Sequence, residues 1–356
     1  MRLLGYGLVA ALFGSTNACG VSEVETMPDK SDETGFELIV LAAPGSDDPY
    51  YAEVRSDILA FQRQFAQIIR TSGDEVLILA DAATLEAYGT GTNSDDFVFA
   101  PQADIWARDF GLSNTVAPVM FRYTAEGQGG GRQGQRDADA VQEQLAGLAE
   151  DAGLSFAESD WLNDGGNWVD DGHGALVVSR KFLADNALSE AEARSVLREE
   201  AGVRDVAFVD ADEQGGLEHA DGVVAFVGPN TLIVNSYPDD PDYAADLRAD
   251  LEAGLPGVTI HEIITPYDGS QIYDERFGSA CGLYTNALVT EHRIYLPQFG
   301  IDADAVALQQ VRAVTELEVI PVPSARVCHM GGGVRCLSWQ LRGDNAERLL
   351  AYAARE

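Results

Sequence analysis

The amino-acid sequence predicts a single α/β domain over residues 36–356. Short apolar β-type runs alternate with segments of helical periodicity along the whole of this region. No linker rich in glycine, proline and serine divides the region into two domains. The composition is that of a folded protein, because 46% of the 356 residues are hydrophobic and 23% are charged, close to the globular average.

The first predicted unit is a strand, a helix and a second strand. Residues 37–43 and 75–80 are apolar β-type runs, and residues 50–69 between them carry apolar side chains three or four positions apart. A later helix has a capping-box start, because Ser189 lies three residues before Glu192. The remaining strands are predicted at 96–100, 115–123, 175–178, 206–209, 258–264 and 318–322, the remaining helices at 137–152, 189–201, 243–253 and 303–316, and two hairpins at 223–237 and 287–299.

One low-complexity insertion lies at residues 126–135. Its glycines and glutamines do not follow a strand at the spacing of a dinucleotide-binding or Walker motif. We therefore expect a mobile loop near a functional site rather than a phosphate-binding turn.

The N-terminus predicts export from the cytoplasm. A basic residue, an apolar run at 3–13 and a group of small residues follow one another, as in a signal peptide over residues 1–18. The apolar run is too short to be a permanent membrane span.

The residue after this predicted signal peptide is Cys19, preceded by the small residue Ala18 as in a bacterial lipobox. Thr16 departs from that pattern, which prefers leucine at this position. We expect a lipidated, membrane-anchored lipoprotein, and plain secretion or a periplasmic location is the alternative. Residues 19–35 are acidic without apolar periodicity, so they are predicted to form a solvated tether.

The charge of the chain restricts its partners. Asp and Glu number 58 against 23 Lys and Arg, a formal net charge of −35. Nucleic-acid binding is excluded because it depends on basic residues that neutralise phosphates. A negative field of this size instead concentrates cationic substrates at the surface.

Three cysteines, Cys281, Cys328 and Cys336, lie in the predicted folded region. An odd number in an oxidising compartment leaves at least one thiol unpaired. No Cys-x-x-Cys pattern is present, and no set of cysteines and histidines has structural-zinc spacing. The sequence therefore predicts no metal site.

Four polar, glycine-containing segments carry the chemistry-bearing side chains, at 104–111, 163–167, 218–222 and 330–336. Together they supply a thiol, a histidine and several carboxylates. A pair of carboxylates can hold a planar guanidinium through parallel hydrogen bonds. A thiol can attack the central carbon of that group, and a histidine can protonate departing ammonia and then activate water.

Other interpretations of the same residues remain open at this stage. Cys336 alone is as typical of a structural cysteine, either a small buried hydrophobic residue or half a disulfide, as of a nucleophile. His219 and Asp221, two positions apart, point to the same side of an extended backbone and are as typical of a hydrogen-bonded pair at a strand end. The other histidines, His173, His261 and His292, are expected to be structural.

In this order the four segments resemble the agmatine deiminase family, which includes the Porphyromonas-type peptidylarginine deiminases. The matching stretches are Trp-Ala-Arg-Asp at 106–109, Gly-Gly-Asn at 165–167, His-Ala-Asp at 219–221, Tyr-Thr-Asn at 284–286 and Gly-Gly-Gly-Val-Arg-Cys at 331–336. The resemblance implies a pentein fold, a pseudo-fivefold α/β propeller of ββαβ-type units around a central site. It implies no metal or organic cofactor.

The resemblance also implies roles for individual residues. Cys336 matches the nucleophile, His219 the general acid/base, and Asp109 and Asp221 the carboxylates that hold the guanidinium nitrogens. Trp106, Asp164 and Asn286 match neighbouring positions of the substrate pocket, and Arg132 and Arg136 lie where the peptidyl type places arginines for a substrate carboxylate.

Two positions depart from the family pattern. Arg335 replaces the histidine that usually precedes the nucleophile, and Asp164 replaces a glutamate with a side chain shorter by one methylene. An adjacent cation favours the thiolate, but an arginine cannot shuttle a proton. A catalytically lapsed protein that binds cationic peptides or polyamines therefore stays an alternative.

The predicted export favours peptidyl arginine, or free arginine, as the guanidine donor; peptidyl arginine is the first choice and agmatine the second. The acid before the histidine, Glu218, also resembles the peptidyl type. We hypothesise that Cys281 and Cys328 form a disulfide beside the site, which leaves Cys336 free.

Overall fold

The computed structural model describes residues 37–88, 97–211 and 217–355. The predicted signal peptide at 1–18, the predicted lipidation site Cys19 and the predicted tether at 19–35 lie outside the described residues. Among the helices in the described ranges, none is long and apolar enough to cross a membrane.

The described strands form five separate sheets. The strands are β1 (Leu38–Ala42), β2 (Glu75–Ala80), β3 (Phe97–Phe99), β4 (Val119–Arg122), β5 (Ala157–Leu162), β6 (Val169–Asp170), β7 (Ala175–Ser179), β8 (Asp205–Val209), β9 (Val224–Gly228), β10 (Thr231–Asn235), β11 (Thr259–Ile263), β12 (Leu288–Val289), β13 (Arg293–Gln298), β14 (Glu318–Pro323) and β15 (Ser338–Leu341). The α-helices are α1 (Arg55–Ser72), α2 (Ala82–Tyr88), α3 (Ala107–Phe110), α4 (Gly131–Asp151), α5 (Lys181–Asp185), α6 (Glu190–Ala201), α7 (Pro241–Gly254), α8 (Ala303–Arg312) and α9 (Gly343–Ala353).

Three of the sheets repeat one pattern. In β6-β7-β8, β9-β10-β11 and β12-β13-β14 an antiparallel pair is followed by a helical crossover to a parallel third strand. A crossover is required here because parallel neighbours cannot be joined by a tight hairpin. These are the ββαβ units that the family resemblance implies.

The other two sheets are variants of the same unit. The last strand, β15, pairs antiparallel with β1, and α1 then connects β1 to the parallel β2, so the two ends of the described chain close one unit. In the remaining unit α4 connects β4 to the parallel β5, and a single antiparallel bridge from Ser113 to Val119 replaces the first strand. The described fold therefore contains five related units.

The first strand shows how the core is built. All five residues of β1 are fully buried, because helices cover both faces of its sheet. Side chains alternate between faces, so Leu38 and Val40 pack in a cluster with residues of α4 and α9, whereas Ile39 and Leu41 pack with α1. Each such side chain contributes roughly 1.5–3 kcal/mol to folding.

Most predicted elements are confirmed, including both hairpins. The capping box of α6 is also confirmed, since Ser189 Oγ accepts from the backbone N–H of Glu192 and the Glu192 carboxylate accepts from the backbone N–H of Ser189. The elements without a predicted counterpart are α2, α3, β5, β6, α5, β15 and α9.

The glycine-rich insertion is not the expected loop. Residues 126–128 form a 3₁₀ turn, and α4 begins at Gly131, six residues before the predicted start. Gly134 explains the difference, because a Cβ atom there would lie 2.8 Å from the carbonyl oxygen of Ala125. The glycine thus lets the first turns of α4 pack tightly against the preceding turn.

The hypothesised disulfide is present. Cys281 and Cys328 are bonded across a sequence separation of 47 residues, and Cys336 is free and buried. The backbone N–H of Ala280 also donates to the carbonyl of Cys328, at 2.8 Å. The bridge therefore joins two segments that are distant in sequence.

We predict that the Cys281→Ser/Cys328→Ser double variant is less stable than the parent by roughly 4 kcal/mol, since the open chain loses the constraint on a loop of this length. Urea unfolding under non-reducing conditions measures the difference. Adding a reductant to the parent gives the same loss, and equal stabilities in all three experiments would contradict the prediction.

Candidate active site

Each of the five units has a tight turn at the corresponding place, and the side chains of these turns lie close together. In each unit the turn comes before the first strand or before the bridge that replaces it. The turns carry, in chain order, Asp109; Asp164; His219 and Asp221; Asn286; and Cys336. The structure thus brings together residues that are up to 227 positions apart in the sequence.

Four of these five turns line a cavity of about 110 Å³. One wall is apolar and aromatic, formed mainly by Trp106, Tyr123, Phe277, Leu283 and Met330. The polar lining consists of Asp109, Glu218, His219, Asp221, Asn286 and Cys336, with Ser279 beside them. No lysine or arginine from the described residues lines this cavity.

Two buried carboxylates face the cavity, each held by one oxygen. Asp109 Oδ1 accepts from the backbone N–H of Gly166 at 3.0 Å, and Asp221 Oδ2 accepts from Arg335 at 2.8 Å. In the described part of the chain the second oxygen of each has no hydrogen-bond partner. Two free carboxylate oxygens at the wall of one cavity can bind the N–H groups of a planar cation.

His219 lies between two carboxylates. Its Nε2 is 2.9 Å from Asp164 Oδ2, and its Nδ1 is 3.7 Å from Asp109 Oδ1. Asp164 is itself fixed by the backbone N–H and the hydroxyl of Thr124, both at 2.8 Å. Burial alone lowers the pKa of His219, but Asp109, Asp164 and Asp221 outweigh it and raise that pKa to about 9. The protonated imidazole, which can act as an acid, is therefore favoured, while burial raises the pKa of the neighbouring Asp109 to about 7.

The free thiol lies against the same carboxylates. The Asn286 side-chain amide donates to Cys336 Sγ at 3.0 Å, and Asp221 Oδ2 is 3.7 Å from the sulfur. Burial, Asp221 and Asp109 raise the pKa of Cys336 well above its usual value. The thiol therefore keeps its proton while the cavity is empty, and a cation bound beside it would favour the thiolate.

The predicted pocket residues fall into three groups. Trp106 and Asn286 line the cavity as expected, whereas Asp164 lies behind His219 and contacts it. The prediction that Arg132 and Arg136 belong to the substrate pocket is corrected, because both are exposed on the first turns of α4 and neither lines the cavity. The early start of α4 places these two arginines one helical turn apart on its solvent side.

Sequence analysis missed several residues that shape the site. Thr124, Tyr123 and Phe277 belong to segments without a functional pattern. Arg335 stood out as a departure from the family, but the sequence did not show that its guanidinium pairs with Asp221. These are tertiary contacts, and no spacing along the chain reports them.

Gly166 leaves no room for a side chain, since a Cβ atom there would lie 2.4 Å from His219 Nδ1 and 2.7 Å from Asp109 Oδ1. We predict that Gly166→Ala lowers the free energy of unfolding by roughly 1–3 kcal/mol through overpacking. Displacement of His219 from Asp109 also lowers the histidine pKa toward its usual value. Urea unfolding and an NMR pH titration of His219 measure the two effects.

The matched control is Gly147→Ala in α4, where an added Cβ meets no atom within 4 Å. We expect this change to leave the His219 pKa unaltered and to stabilise the protein by up to about 1 kcal/mol, because alanine is the better helix former. A Gly166→Ala protein with the parent's His219 pKa would contradict the described geometry.

Comparison with known proteins gives a family match over most of the chain. The model of the family described as Porphyromonas-type peptidyl-arginine deiminase matches residues 34–341. A relative from Vibrio parahaemolyticus, named provisionally as an agmatine deiminase, is 24% identical to this chain over 325 residues. The alignment covers 81% of this chain and 90% of the relative.

Solved structures with the same fold include two agmatine deiminases. The C. jejuni enzyme superposes with a TM-score of 0.70 at 17% identity, over 88% of this chain and 95% of its own. The Enterococcus faecalis enzyme gives a TM-score of 0.67 at 16% identity, over 86% of this chain and 93% of its own. These similarities confirm the predicted pentein fold. With the family match over 34–341, they show that the chain belongs to the Porphyromonas-type peptidyl-arginine deiminase family.

Proposed function

We propose that the protein hydrolyses an arginine-type guanidinium to a ureido group and ammonia through Cys336. One observation carries this proposal: a free buried thiol shares a cavity with a protonated histidine and two carboxylates that each present an unpaired oxygen. Those are the groups needed to bind a planar cation, attack its carbon and protonate its leaving group.

In the first half of the reaction, Asp109 and Asp221 hold the guanidinium nitrogens. The Cys336 thiol loses its proton to solvent as the cation binds, and its sulfur bonds to the central carbon while a carbon–nitrogen π pair moves onto nitrogen. The His219 imidazolium gives its proton to that nitrogen, the carbon–nitrogen bond breaks, and ammonia leaves a thiouronium adduct.

In the second half, neutral His219 removes a proton from water, and the water oxygen bonds to the thiouronium carbon. The carbon–sulfur bond breaks and its electron pair returns to Cys336. The ureido product releases one proton, which ammonia takes up, and the Cys336 thiolate takes back from solvent the proton it lost in the first half. Asp164 keeps the imidazole oriented in both halves, because its other contacts to Thr124 prevent it from turning away.

The cavity lining supports a guanidine substrate without a neighbouring carboxylate. The charged side chains at the described walls are acidic or belong to His219, and Glu218 adds a carboxylate at the exposed side. The α-carboxylate of free arginine or of a C-terminal arginine would meet like charges there, which is unfavourable. Internal peptidyl arginine and agmatine avoid this cost, and we propose peptidyl arginine on the basis of the predicted export.

We further propose that the protein is exported and anchored by a lipid on Cys19. The N-terminal sequence pattern supports this location. Metabolic labelling with palmitate tests it: the parent is labelled and membrane-bound, Cys19→Ser is unlabelled and released, and an unlabelled parent would overturn the proposal.

We predict that the protein forms ammonia and a ureido product from a peptide with an internal arginine or from agmatine, and that Cys336→Ala abolishes both products. Free arginine and a peptide ending in arginine should react at least about tenfold more slowly, since an unfavourable interaction of roughly 1.4 kcal/mol changes a rate by this factor. Colorimetric ureido detection and an ammonia assay measure the reaction on the four substrates.

Ser324→Ala is the control for the substitution, because this buried serine lies outside the cavity lining. If no substrate reacts while the same cations bind measurably, the protein is the lapsed binder and the catalytic proposal fails.

A further inference from the structure

Arg335 is a buried, positively charged residue next to the site. Its side chain is 11% exposed, and its guanidinium donates to Asp221 Oδ2 at 2.8 Å, to the carbonyl of Gly165 at 3.4 Å and to the carbonyl of Trp168. It does not line the cavity. Arg335 therefore reaches Asp221 from the side away from the cavity.

These contacts connect three of the turns that form the site. Gly165 and Trp168 flank the turn whose Gly166 N–H holds Asp109, Asp221 belongs to the turn of His219, and Arg335 itself precedes Cys336. The planar fork of a guanidinium can bond to several acceptors at fixed angles, which a lysine ammonium cannot reproduce.

The same contacts set the charge near the sulfur. Asp221 is the carboxylate hydrogen-bonded to Cys336, so its unpaired charge would oppose formation of a thiolate. The guanidinium of Arg335 forms an ion pair with that carboxylate and so brings a positive charge next to it. The charged groups facing the thiol from the surrounding elements are Asp109 and Asp221, which are acidic, and Arg108, His219 and Arg335, which are basic.

We propose that Arg335 is a positioning residue that holds Asp221 by one oxygen, turns the other oxygen toward the substrate, and offsets the carboxylate charge so that the Cys336 thiol loses its proton more readily than it would beside an unpaired Asp221. The part that concerns the substrate depends on the proposed deimination. The part that concerns the thiol does not, so it is measured without turnover.

The test is the rate of alkylation of Cys336 by iodoacetamide, followed by mass spectrometry between pH 6 and 10. The rate reports the thiolate fraction. Arg335→Met removes the charge while keeping an unbranched side chain. We expect the rate at pH 8 to fall about tenfold, which corresponds to an upward shift of one unit in the thiol pKa.

Arg293→Met is the matched control. Arg293 forms a buried pair with Asp74 at 3.0 Å, with 15% and 1% of the two side chains exposed, and it lies outside the cavity lining. We expect it to lose stability without a change in the alkylation rate. An unchanged rate in Arg335→Met, or an equal fall in Arg293→Met, overturns the proposal.

Arg335→Lys keeps the test decisive if the methionine variant does not fold. The lysine retains the charge but not the three directed bonds, so we expect an alkylation rate within about threefold of the parent and a KM for the guanidine substrate raised about tenfold. A rate as low as expected for methionine, or an unchanged KM, overturns the proposal. A parent that alkylates as expected but forms no ureido product refutes the proposed function instead.

Discussion

The burial of three carboxylates around one cavity is the constraint on which the rest of the structure depends. Asp109, Asp164 and Asp221 are all at least 94% buried, and an unpaired buried carboxylate costs several kcal/mol. Each one is therefore held by specific donors: the backbone N–H of Gly166, the backbone and hydroxyl of Thr124, and the guanidinium of Arg335. Asp109 and Asp164 also share His219 as a neighbour. Asp221 depends most on a single donor, because without Arg335 it would keep, among the described residues, only the contact to Cys336 Sγ at 3.7 Å.

The fivefold repetition meets this constraint with tight turns, and in one of them Glu218, a non-glycine residue, has a positive φ of 52°. Each ββαβ unit buries its own apolar faces, so the turn before its first strand is free to carry polar residues. In this way one site collects groups from distant parts of the described chain, and β15 joins the sheet of β1 and β2 by pairing with β1. The disulfide from Cys281 to Cys328 then joins the segment that carries Phe277 to the segment that carries Met330, and both of these residues form part of the apolar wall.

Much of this arrangement could be predicted from the sequence because its signals are local. The buried run of β1, the periodicity of α1 and the capping box at Ser189 report their structures over a few residues, and the site motifs are short polar segments with glycines. The start of α4 was missed because glycine lowers helix propensity, whereas Gly134 serves a packing contact. Arg132 and Arg136 were misplaced for the same reason. The role of Arg335 was hidden because its partners are 114 to 170 positions away.

The charges of the site explain why the substrate has to complete it. Three basic groups, His219, Arg335 and the buried Arg108, lie near the three carboxylates. Burial raises the pKa of Asp109 to about 7 against the lowering effect of His219, so this carboxyl group holds part of a proton at neutral pH. A thiolate in the empty cavity would add an uncompensated negative charge, so burial favours the thiol. A bound guanidinium supplies the missing positive charge, and the nucleophile can form where its target already lies. A neutral ligand, or one that carries a carboxylate, would not supply this positive charge, so it would activate Cys336 poorly. Recognition of the cation and activation of the sulfur are therefore one electrostatic event.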